Sequence, residues 1–79
     1  MDDQELEDLY GPAAKYSDHR RGEQVTFIQE GMMYTGTIIW VSERSKIAGQ
    51  HVPVHYIVEV GKPGSFPFFV LSGDILEEE

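Results

Sequence analysis

Cysteine is missing from all 79 residues, which removes the disulfides that chains of this size often use to supplement a small core. Hydrophobic burial alone typically leaves such a chain only about 3–5 kcal/mol of net stability. The missing cysteines, and the lack of an apolar stretch after Met1, fit a reducing environment and predict a cytoplasmic protein. Apolar runs are short as well. None approaches the roughly 20 residues needed to cross a bilayer, so a soluble chain with no membrane partner is expected.

Basic residues are also scarce: six Lys and Arg stand against fourteen Asp and Glu, for a formal charge of −8. Such a balance works against non-specific binding to nucleic acid or anionic lipid. Catalytic signatures are absent too, with no Gly-rich phosphate loop, nucleophile elbow or motif-grade carboxylate pair. His51 and His55 sit four apart, and on a strand that spacing separates them by about 13 Å, too far for one ion. The sequence therefore predicts a non-enzyme without cofactor or metal.

What is present is unevenly distributed. Five acids crowd the first eight residues and Glu77, Glu78 and Glu79 close the chain, while residues 22–76 hold five acids against three bases. Residues 1–21 contain no Val, Ile or Thr, whereas residues 25–75 are rich in β-branched and aromatic side chains suited to a pleated, half-buried surface. This divides the chain into a flexible acidic arm (1–21), a β-barrel domain (22–76) and an acidic tail (77–79). Within the arm, Leu6, Leu9, Tyr10 and Ala13 fall at helical spacing. They predict a short helix near 3–10, capped by Asp2 or Asp3, broken at Gly11-Pro12, and ordered only if its apolar face docks.

Beyond Gly22 the pattern is one of strands: 23–29, 33–43, 54–60, 66–71 and 75–76. Glu30-Gly31, residues 61–64 and Ser72-Gly73-Asp74 supply turns, Gly36 suggests a bulge or bend, and 44–53 reads as a mobile loop. Five short strands with these spacings fit a closed or partly open barrel, which removes free sheet edges.

At four places the chain resembles a known pattern. Arg21-Gly22-Glu23-Gln24-Val25, Tyr34-Thr35-Gly36-Thr37-Ile38, Tyr56-Ile57-Val58, and Val70 with Gly73-Asp74-Ile75 are similar to the signature of Tudor-type and other Src-homology-3-like barrels. The resemblance implies an all-β, five-stranded barrel that serves as a binding module. Members of this fold read modified tails, bind proline-rich peptides, act as accessory subunits or bind nucleic acid. Neither Glu43 nor Trp40 matches the acidic loop and tryptophan of the proline-rich binders.

Strand parity then selects residues. With Glu59 facing solvent, Tyr56, Val58 and Val60 face the core, and on the preceding strand Tyr34, Gly36, Ile38 and Trp40 follow them inward. Ile39, Val41 and Ile57 are left on one outer face, the first candidate interface, to be covered by the Leu6/Leu9/Tyr10 helix or by a partner subunit. Tyr34, Phe66 and Phe68, near turns at the barrel end, are the candidate ligand-binding residues. The expected function is a protein-interaction module or accessory subunit with a protein partner or a second copy. Recognition of nucleic acid or a modified tail is the disfavoured alternative, and an acidic decoy of a nucleic-acid-binding protein is a third.

Overall fold

In a computed structural model of the chain, which describes residues 2–62 and 64–76, two tight turns organise the strands. Glu30 (φ 52°) and Gly31 (φ 77°) join β1 (Gln24–Gln29) to β2 (Met32–Ser42). Ala48 (φ 51°) and Gly49 (φ 80°) join β3 (Lys46–Ile47) to β4 (Gln50–His51). Positive φ at both central residues marks the hairpin turn whose twist matches that of its flanking strands. The second hairpin lies inside the segment expected to be a loop.

Three further strands follow: β5 (His55–Glu59), β6 (Phe68–Leu71) and, after a 3-10 turn at Ser72–Asp74, β7 (Ile75–Leu76). β6 begins two residues later than expected, after Pro67, which has no N–H to give a ladder. The main sheet is antiparallel in the order β6-β5-β2-β1-β7 and curls strongly into a half-barrel. Where the two ends of the curl approach, the Gln29 side-chain amide donates to the Phe69 carbonyl at 2.6 Å. The acidic tail expected at residues 77–79 lies outside the described residues.

Two features of β2 produce the curl. Gly36 is buried so closely against β5 that a Cβ there would lie 2.5 Å from the Glu59 carbonyl oxygen and 2.8 Å from Val58 Cγ1. Only glycine lets the strands meet there. Just beyond, the β2–β5 register shifts between Ile38 and Trp40, so that Ile38 opposes Val58 while Trp40 opposes Ile57. This bulge reverses the alternation of the strand. Ile38 and Val41 face inward with Val25, Phe27, Tyr56, Val58, Val70 and Ile75, and these residues form the core.

The fold is mostly β but not all-β, because α1 (Asp3–Tyr10) precedes the sheet. Asp2 caps it by accepting the Glu5 N–H at 2.9 Å, and Gly11 ends it with φ 100°. The segment read as a flexible arm is hydrogen-bonded to the sheet. Glu43 N–H donates to the Pro12 carbonyl and Ala14 N–H to the Val41 carbonyl, each at 2.9 Å, extending the half of β2 that β1 does not reach. His19 N–H then donates to the Tyr56 hydroxyl at 3.2 Å and Gly22 N–H to the Ile38 carbonyl at 2.7 Å.

Candidate functional site

Among the described residues, two groups of apolar side chains lie outside the core. The first is the outer face of β2 and β5. Leu6, only 2% exposed, sits on Trp40 and Ile57, with Tyr10 and Ile39 at the margin. Fully burying a leucine stabilises by about 1.5–3 kcal/mol, enough to hold a helix that would be marginal in isolation. Polar contacts complete the seam: Trp40 Nε1 donates to the Gly11 carbonyl at 2.9 Å, and Ser42 Oγ donates to the Tyr10 carbonyl at 2.5 Å while accepting the Arg44 N–H.

Of the first three candidate interface residues, Ile57 and Ile39 are therefore covered by α1, one of the two arrangements expected for that face. Val41 is not on it. The bulge turns Val41 into the core and sends Trp40 outward, the reverse of the parity expected for both. Gly36 suggested a bulge or bend in this strand but did not locate the extra residue beyond Ile38, and the exchange follows from that location.

The second surface is the end of the half-barrel at the β1–β2 turn. Phe27, at its floor, stacks on Tyr34 (5.6 Å between centroids) and meets Phe68 edge-on (5.6 Å), and Tyr34 and Phe68 are 4.7 Å apart. The Tyr34 hydroxyl donates to Met32 Sδ at 3.6 Å. Tyr34 and Phe68 are thus brought together, partly buried on the core. Met32, on the same face as Tyr34, is 60% exposed, Met33, on the opposite face of β2, is 65% exposed, and Phe66, two residues before Phe68, is 91% exposed. Ile28, which opposes Met33 across the hairpin, is exposed too. The two methionines and Ile28 escaped the sequence reading, which weighed aromatic rings and not flexible thioethers.

The histidines do separate work. His55 is buried, its ring 4.4 Å from that of Phe69 and its Nδ1 at 3.0 Å from the Pro53 carbonyl, while His51 is exposed on β4. His19 Nδ1 pairs with Glu23 at 2.7 Å. Among the described residues no group of three or more His, Cys, Asp or Glu could hold a metal ion, and no helix is long and apolar enough to cross a membrane. Compared with known proteins, the chain is matched by no family model, no curated protein and no solved structure.

Proposed function

We propose that the chain is a non-catalytic interaction module or accessory subunit, built on a half-barrel of the Src-homology-3-like type, that holds a protein partner at the β1–β2 end. The observation that carries this reading is the set of exposed apolar side chains at that end: Met32, which the Tyr34 hydroxyl contacts beside the Tyr34–Phe68 ring pair, and Met33 and Phe66, close to those rings along the chain. An apolar patch of this kind usually marks an interface, and methionines adapt their shape to a partner surface. Supporting it, the other apolar surface is occupied by α1, leaving the hairpin end as the larger uncovered one. Tyr34, Phe68 and Phe27 lie in mutual contact, which suits a broad apolar partner better than a ring cage spaced around a methylated cation.

The test is affinity capture from nuclease-treated native lysate with the wild-type chain, a Met33→Ser/Phe66→Ser variant and an Ile47→Ser control. A stoichiometric protein recovered by wild type and control, but not by the double variant, is the expected result. Recovery that is unaffected by the double variant removes the hairpin end from the interface. A partner recovered only from a parallel lysate without nuclease moves the function to nucleic acid.

A further inference from the structure

Away from the hairpin end, the chain collects half of its few cations around one concavity. Lys15, Arg20 and Arg21, three of the six Lys and Arg in the sequence, line a cavity of about 530 Å³ between the start of α1, residues 13–21 and β2. Among the described residues a single carboxylate, Asp3, lines it with them, and its Oδ1 accepts one bond from Arg21 Nη1 at 2.7 Å. Arg21 also lies over the Trp40 ring, 5.3 Å from its centroid, which fixes the guanidinium at the cavity wall. A guanidinium has five N–H donors, so the contact to Asp3 leaves several of them for another acceptor. Among the described residues neither Lys15 nor Arg20 has an ion-pair partner. In a chain of charge −8, three cations thus share one cavity with a single lining carboxylate among the described residues.

We propose that this cavity is a binding site for a small phosphate monoester carrying a flat ring. The three cations supply the charge-assisted donors that a phosphoryl group takes, with Arg offering a planar fork and Lys a point charge. Tyr16, 88% exposed at the rim, supplies an uncommitted ring face, and the volume falls in the range of small-ligand sites, about 300–1,000 Å³. The overall acidity selects against long polyanions, which feel the field of the whole molecule. A small anion inside the cavity responds mainly to charges within a screening length of about 8 Å. The site is separate from the interface proposed at the β1–β2 end, and either can fail without the other.

Trp40 is the only tryptophan, so its fluorescence reports on the cavity wall directly. The full-length chain is titrated at constant ionic strength with phenyl phosphate and inorganic phosphate, then with a nucleoside monophosphate and free phosphotyrosine to separate the two sources of the ligand. The expected result is a saturable change with phenyl phosphate, weaker with inorganic phosphate, and a Kd raised about tenfold or more in Lys15→Ala/Arg20→Ala, whose exposed side chains are not needed for folding. Tyr16→Ala should narrow the gap between the two phosphates. Amide shifts across residues 15–21 in a parallel NMR titration provide a second readout. No saturable response in either measurement, or a Kd unchanged by Lys15→Ala/Arg20→Ala, overturns the proposal.

Discussion

The outer face beneath α1 and the end of the β1–β2 hairpin are built from similar material, large apolar side chains on a curled sheet, yet one is closed and the other open. Under α1, Leu6, Trp40 and Ile57 are buried and the adjoining polar groups, Trp40 Nε1 and Ser42 Oγ, find carbonyl partners in the chain itself. At the hairpin end, Met32 is held only by the Tyr34 hydroxyl beside an aromatic floor, and Met33 and Phe66 are largely exposed. The difference teaches that apolar surface becomes part of the fold only when backbone can follow it. Residues 10–14 deliver both a leucine-bearing helix and a row of carbonyls and N–H groups that β2 can use. The hairpin end has no comparable segment among the described residues.

That contrast can be broken or sharpened by substitution. Leu6→Ala should cost the most, about 2–4 kcal/mol in urea unfolding, because the side chain is buried between the helix and Trp40 and the site cannot collapse without moving α1. A loss below about 0.5 kcal/mol would show that α1 contributes nothing to the folded unit. Trp40→Phe should cost about 1–2 kcal/mol, since it removes the Nε1 donor to the Gly11 carbonyl in a buried setting. Asp2→Ala should cost about 1 kcal/mol through loss of the helix cap. It should have this effect only if α1 is folded with the sheet, so thermal denaturation that does not respond would contradict the first two results. Met33→Ser/Phe66→Ser should shift stability by no more than about 0.5 kcal/mol per site, as expected of exposed positions, while abolishing partner capture. A large loss of stability there would place both side chains in the fold and erase the contrast.

Much of this architecture was legible in the residues, for local reasons. Alternation anchored on Glu59 set Tyr56 and Val58 of β5 inward, where they lie in the core. Glu30-Gly31 marked the first hairpin, and the spacing of Leu6 and Tyr10 marked α1. The β3–β4 hairpin was hidden because its turn is Ala48-Gly49, without the Asn or Asp that usually signals left-handed backbone, and because its strands have only two residues each. The outward position of Trp40 was hidden for a different reason. A bulge is a property of pairing, set by how β2 aligns with β5, and although Gly36 suggested one, nothing in the composition of β2 fixed its position. At the candidate site, the Tyr34 and Phe68 rings were legible because aromatic residues near turns stand out. The clustering of Lys15, Arg20 and Arg21 was not, because residues 13–21 have no periodicity from which a shared wall could be read.

The extra residue at Ile39 gives β2 two phases along a single length of chain. On the hairpin side of it, even-numbered residues serve the interior, and beyond it odd-numbered ones do, so the strand answers to two clients, the barrel and the helix. Drawing Ile39 into regular pairing would leave every residue chemically intact and still exchange the roles of Trp40 and Val41, offering an indole to a space that holds a valine and a valine to the helix that expects an indole, whereas excising Ile39 would keep Ile38 opposite Val58 and Trp40 opposite Ile57. Such a strand is kept in phase by its pairing with β5 as much as by its own side chains. In this chain a one-residue slip of pairing in the middle of β2 would act like a phase error in a wave, slight at any single point and felt by everything downstream of it.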